Sequence, residues 1–135
     1  MPKDKKCVFC EIINGEREAY IVHEADQTLA FLDYRPLYFG HILLIPKEHH
    51  ETLMDLPEHL IKPLFSEMKL LSRAVEAGLK SDGIFNAINN RMSQSVAHVH
   101  LHVVPQRHKD NMRHFMWPRK KYENDDQINE IIDDI

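Results

Sequence analysis

The run His98-Val99-His100-Leu101-His102-Val103-Val104, closed by Pro105, alternates imidazole and aliphatic side chains. A period of two is the strand period, in which successive side chains point to opposite faces. A strand over 98–104 therefore puts His98, His100 and His102 on one face. Neighbouring histidines lie about 6.6 Å apart at a rise of about 3.3 Å per residue. Val99, Leu101 and Val103 share the other face, which reads as core. Three imidazoles in a row are costly to bury without partners, so their face reads as a site.

Two chemistries suit such a face. Histidines at i and i+2 can share a metal ion, but the outer pair, about 13 Å apart, cannot do so without a bend. Alternatively, the face is an anion site with a nucleophile in the middle. Neutral imidazole is a good nucleophile near pH 7, and imidazolium stabilises negative charge. The plain alternative is a half-buried strand whose polar side carries histidine without function.

The remaining sequence predicts an α+β chain of one domain over 1–135. Hydrophobic content of 43% and charged content of 28% fit a globular protein. A net charge of −4 offers no global field for nucleic acid, so any attraction for phosphate must be local. No apolar run is long enough to span a membrane. The basic start, residues 1–6, reads as mobile, and no export-type apolar segment follows it, which points to the cytoplasm.

Cys7 to Asn14 predicts a short helix stopped at Gly15. Tyr20–Glu24 and Thr28–Asp33 read as a hairpin, and His41–Ile45 as an apolar strand ended by Pro46. Asp55 is a candidate N-cap for a long amphipathic helix from about Pro57 to Lys80, with Pro63 awkward inside it. Its stripe is Leu60, Leu64, Met68, Leu71, Val75 and Leu79. A strand from Ile84 to Asn89 precedes the histidine run. The tail, 106–135, is basic and aromatic around Arg113–Arg119 and Trp117, then ends in a short acidic helix. Short connections and strands meandering around one helix predict an antiparallel sheet.

Cys7 and Cys10 form a Cys-x-x-Cys pair. In a reducing compartment such a pair is more often half of a zinc site than a disulfide. Two reduced cysteines packed as small hydrophobes are the remaining option.

The stretch from Asn89 to Pro105 resembles the signature of the histidine-triad (HIT) nucleotide hydrolase and transferase family. Phe31-Leu32-Asp33, Gly40-His41-Ile42-Leu43-Leu44-Ile45-Pro46-Lys47 and His49 resemble its other blocks, in the same order. The resemblance implies a five-stranded antiparallel sheet with one long helix and a short N-terminal helix, commonly dimerised through the helix and the sheet. It places the nucleophile on His100, flanked by His98 and His102. A nucleotidyl-histidine forms there from a nucleoside phosphoramidate, nucleotidyl ester or dinucleoside polyphosphate, and water releases NMP. It further implies that Asp33 accepts the ribose hydroxyls, and that His41, Asn89, Gln94 and Ser95 lie about the phosphates and leaving group. Phe9 and Phe31 would lie about the base. Members with an N-terminal Cys-x-x-Cys bind structural zinc, here through Cys7, Cys10, His49 and His98, and the chemistry itself needs no cofactor. One departure is the loop Asn90-Arg91-Met92-Ser93, which lacks the family's glycines. The competing function is a non-catalytic, zinc-stabilised adaptor that binds purine nucleotides.

Overall fold

The computed structural model of the chain describes residues 7–110 and 119–135. The expectations for the N-terminal residues 1–6 and for the stretch Arg113 to Arg119, all but Arg119 itself, lie outside the described residues. The elements, in order, are α1 (Val8–Ile13), β1 (Ile21–Glu24), β2 (Thr28–Leu32), β3 (Ile42–Pro46), a 3-10 turn (Leu53–Asp55), α2 (Glu58–Leu79), β4 (Gly83–Ile88), β5 (Leu101–Gln106) and α3 (Asp125–Asp134). The five strands form one sheet in the order β1-β2-β3-β5-β4, and every pairing is antiparallel.

The period-two patterns sort side chains to two faces. Ala30, Ile42, Leu44, Leu101 and Val103 pack with Leu64, Leu71 and Val75 of α2. Leu29, Phe31, Leu43 and Ile45 face the other way and pack with Cys7, Phe9 and Cys10 at the start of α1. β2 and β3 are therefore covered on both faces, which is why they read as continuous apolar runs. Leu43 of β3 is paired with His102 of β5. The imidazole face is thus the α1 face.

Most element ends lie within one residue of the sequence reading, and three differences have a distinct physical cause. The strand that carries the triad begins at Leu101 rather than His98 and runs through Pro105 to Gln106. Before Leu101 the backbone is bonded elsewhere: the Val99 amide donates to the His50 carbonyl at 2.7 Å. Proline is tolerated inside both strands because each has lost one neighbour there. β5 pairs with β3 only as far as Val103, whereas Pro105 pairs with Ile84 of β4. Pro46 likewise pairs with Thr28 alone. Finally, Asp55 does not cap α2. Its carboxylate closes the 3-10 turn, accepting from the Thr52 amide at 3.0 Å and the Thr52 hydroxyl at 2.7 Å. These bonds hold Asp55 below the usual carboxylate range. Pro57 occupies the N-cap position of α2 instead, without a side-chain bond, and the helix continues past Pro63.

At its other end α2 stops at Lys80, in the left-handed conformation at φ 53°. Arg107, just beyond β5, donates to the Lys80 carbonyl at 2.9 Å and the Leu79 carbonyl at 2.6 Å. A cation on the orphan carbonyls of a helix C-terminus is favourable on both hydrogen-bonding and dipole grounds. Arg107→Ala is expected to destabilise the fold by about 1 kcal/mol, each partly solvated bond being worth less than a buried charged one. A shifted urea midpoint at unchanged slope checks this.

Candidate functional site

His98, His100 and His102 do lie on one face, but each imidazole has a different job in the hydrogen-bond network. His98 is fully buried, and its Nε2 lies 2.8 Å from the Pro46 carbonyl. A carbonyl only accepts, so Nε2 carries the hydrogen and Nδ1 holds the lone pair. That Nδ1 sits 3.4 Å from Cys7 Sγ, 3.6 Å from Cys10 Sγ and 3.1 Å from His49 Nδ1. His49 Nδ1 is in turn 3.2 Å from Cys10 Sγ.

His100 has the opposite tautomer. Its Nδ1 lies 2.7 Å from the carbonyl of His98, so Nδ1 is the donor and Nε2 keeps its lone pair. Burial is the main cause of its lowered pKa, against which the bond to the His98 carbonyl and the charge of Asp33 push upward. A lowered pKa keeps the ring neutral near pH 7.

The third tautomer is set by a two-step relay. The Leu37 amide donates to His41 Nδ1 at 3.1 Å, which leaves the hydrogen on His41 Nε2. His41 Nε2 lies 2.8 Å from His102 Nδ1, so His102 accepts there and carries its own hydrogen on Nε2. Burial, then the neighbouring His100 and His41, push the pKa of His102 down to about 4. His41 itself is 2% exposed with both ring nitrogens engaged, so it stands behind His102. Its own pKa is lowered by burial, opposed by Asp33 3.8 Å away.

The other expected residues are distributed as follows. Asp33 follows β2, with one carboxylate oxygen bonded to the Arg35 amide at 2.9 Å. Asn89 follows β4, half-buried, and Ser95 is exposed. Gln94 spans the glycine-free loop: its amide nitrogen donates to the Glu51 carbonyl at 2.6 Å, and its oxygen accepts from the Arg91 amide at 2.8 Å. Within that loop Arg91 and Ser93 adopt positive φ, 70° and 59°. The left-handed geometry that glycine serves easily is thus kept by residues that bear a Cβ. Phe9 and Phe31 are buried and stack edge to face at 5.3 Å. Phe9 also meets the His98 ring at 5.9 Å and the His100 ring at 5.1 Å.

Cys7, Cys10, His49 and His98 bring four ligand atoms within 4.8 Å of one another. Tetrahedral zinc with bonds of about 2.0–2.3 Å has ligand-to-ligand edges of about 3.3–3.8 Å. Four of the six edges are 3.1 to 3.6 Å, and all six lie within 4.8 Å. The Pro46 carbonyl fixes the His98 tautomer that leaves Nδ1 free, as a supporting acceptor does in metal sites. The residues fit a metal. The sharing of one ion by all three triad imidazoles does not follow, because the free nitrogen of His98 faces the cysteines.

A family model described as the HIT domain matches residues 14–109. The chain belongs to the HIT family. An adenylylsulfatase of Arabidopsis thaliana is 37% identical over 106 residues, 77% of this chain and 54% of that one. An adenosine 5′-monophosphoramidase of Saccharomyces cerevisiae is 31% identical over 121 residues, 87% of this chain and 73% of that one. Among solved structures, a Zn-bound histidine triad family protein from Mycobacterium smegmatis superposes with a TM-score of 0.74 at 35% identity, over 90% of this chain and 87% of that one. The HIT fold accounts for the observed architecture of five antiparallel strands, one long helix and one short N-terminal helix. Among the described residues no helix is long and apolar enough to cross a membrane.

The sequence does not reveal the groups that set the tautomers. The Pro46 and His98 carbonyls and the Leu37 amide are main-chain groups, and no residue type announces them.

Proposed function

We infer that this HIT protein is a nucleotide hydrolase or transferase acting at the α-phosphate of nucleoside 5′-phosphate derivatives, with His100 as nucleophile. The observation that carries the reading is the His98 carbonyl on His100 Nδ1, which leaves Nε2 unprotonated. In the first step the Nε2 lone pair forms an N–P bond. The bond from phosphorus to the leaving group breaks, and the leaving group departs with its electron pair and takes up a proton. In the second, water attacks phosphorus, loses a proton, and the N–P electrons return to Nε2 as NMP leaves. Dividing one displacement into two is the general gain of covalent catalysis. The Nε2–H of His102 is suited to donate to a phosphate oxygen, with His41 behind it, and charge is stabilised by positioned donors. Asp33 would take the ribose hydroxyls, Asn89, Gln94 and Ser95 the phosphate and leaving-group side, and Phe9 and Phe31 would form the apolar floor beneath the base. The relatives named for phosphoramidase and adenylylsulfatase activity support this class of substrate.

Cys7, Cys10, His49 and His98 would hold zinc as a closed structural site, tying α1 to the triad segment. The donor set and the Zn-bound relative support that choice. The metal supplies cross-linking and no reaction step.

The test is a substrate panel of adenosine and guanosine phosphoramidates, adenylyl sulfate, aminoacyl-adenylate mimics and dinucleoside tri- and tetraphosphates, with products identified. Release of NMP from at least one supports the reading. Nucleotide binding without turnover across the panel supports the adaptor alternative and overturns it.

The protein is expected to be a homodimer. α2 leaves Leu70 51% and Leu79 43% exposed, and among the described residues β4 is an edge strand paired only with β5. Sedimentation at micromolar concentration should give twice the chain mass, and a monomer contradicts it.

A further inference from the structure

His98 belongs to two sites at once. Its imidazole Nδ1 is one of the four converging ligand atoms, and its main-chain carbonyl accepts the hydrogen of His100 Nδ1 at 2.7 Å. The two flanking supports also start from the metal-binding group. Val99 donates to the carbonyl of His50, the residue bonded to His49, at 2.7 Å. Phe9, between Cys7 and Cys10 in the chain, is 5% exposed and presses edge-on against the rings of both His98 and His100.

The backbone needs such support at this point. Residues 98–100 precede β5, so no strand ladder fixes the His98 peptide plane. The choice of tautomer matters as well. An unconstrained histidine side chain favours the hydrogen on Nε2, the reverse of what an attack from Nε2 requires. Without a fixed carbonyl at Nδ1, His100 would spend most of its time with the attacking nitrogen protonated.

We propose that the Cys7–Cys10–His49–His98 group is the positioning device of the nucleophile: its loading fixes the His98 carbonyl, with Phe9 as a second brace, and so holds His100 with Nε2 free. The proposal rests on His100 being the nucleophile. It goes beyond a structural zinc, because it assigns the group an effect on kcat separate from its effect on folding. His98 and Phe9 are positioning residues for His100 in this scheme.

The test changes His49, which lies outside the triad. His49→Asp puts an anionic oxygen ligand at the place of Nδ1. His49→Asn keeps the shape but offers a weak neutral ligand. For each holoprotein the readouts are metal content, the two-bond proton–nitrogen NMR pattern of the His100 ring, and kcat and KM on an adenosine phosphoramidate. The Asp variant is expected to keep its metal and the Nδ1–H tautomer. The Asn variant is expected to lose metal, mix tautomers, and lose kcat by about tenfold or more while KM stays within about twofold, the usual scale for a supporting residue. A folded, metal-free Asn variant that retains a single Nδ1–H tautomer and wild-type kcat overturns the proposal. Where the Asn variant does not fold, wild-type protein loaded with cadmium replaces it. A shifted His100 ring signal with a lower kcat upholds the coupling, and unchanged signals overturn it. A tautomer that follows the metal while the covalent adduct maps to another residue upholds the coupling and removes only the nucleophile assignment.

Discussion

His100→Ala is expected to lower kcat by on the order of 10⁴-fold or more while AMP binding remains measurable. Removing the proposed nucleophile would take away the covalent route itself and leave only oriented donors acting on water. The proposed binding groups are spread over other elements: Asp33 after β2, Asn89 after β4, and His102 within β5. They survive the substitution. His102→Ala should be milder, because it deletes a donor and leaves the lone pair on His100 Nε2. It would leave the buried His41 Nε2–H without its acceptor, so part of its cost should appear as lost stability. Acid quench of the wild type at short times should trap a nucleotidyl adduct, and peptide mapping should locate it on His100. Undiminished turnover in His100→Ala, or an adduct on another residue, removes this mechanism.

The face of the imidazoles was legible from period two alone, because alternation is a local property. The start of the strand was not. Strand bounds depend on a pairing partner, and β3 reaches β5 only from Leu101 to Val103. Pro46 and Pro105 looked like strand ends for the same reason: a sequence does not say which side of a strand lacks a neighbour. Asp55 was misplaced because a carboxylate closing a 3-10 turn and one capping an α-helix use the same short-range chemistry. Leu79 continues the helical stripe and stays partly exposed, although its side chain packs over Gly40, whose φ of 96° and close approach leave no room for a side chain. At the candidate metal site, the spacing of Cys7 and Cys10 could be read directly. His49 and His98 lie 39 and 88 residues beyond Cys10, and only the likeness to a family joined them to the cysteines. The network that fixes the three tautomers was out of reach, because its decisive members are peptide groups.

Stripping the metal is expected to lower the melting temperature by about 10 °C or more, and Cys10→Ala should do the same. A ligand bound only by the folded state stabilises it by about 4 kcal/mol when free metal is a thousandfold above its dissociation constant. For a chain of this length each kcal/mol moves the midpoint by about 2–6 °C. The domain should stay folded without metal at low temperature, because the cluster on the α2 face of the sheet contains none of the four ligands. The loss should instead begin on the α1 face, where Cys7 and Cys10 pack with Phe9, Leu29, Phe31, Leu43 and Ile45. α1 is only six residues long and is held by these contacts, so it should be the first element to lose hydrogen-exchange protection. Zinc at one per chain in protein purified under reducing conditions, followed by a chelator-dependent fall in melting temperature, is the expected pair of results. Protein that contains no zinc, or melts at the same temperature with and without chelator, removes the metal assignment and with it the reason for a Cys-x-x-Cys beside the triad.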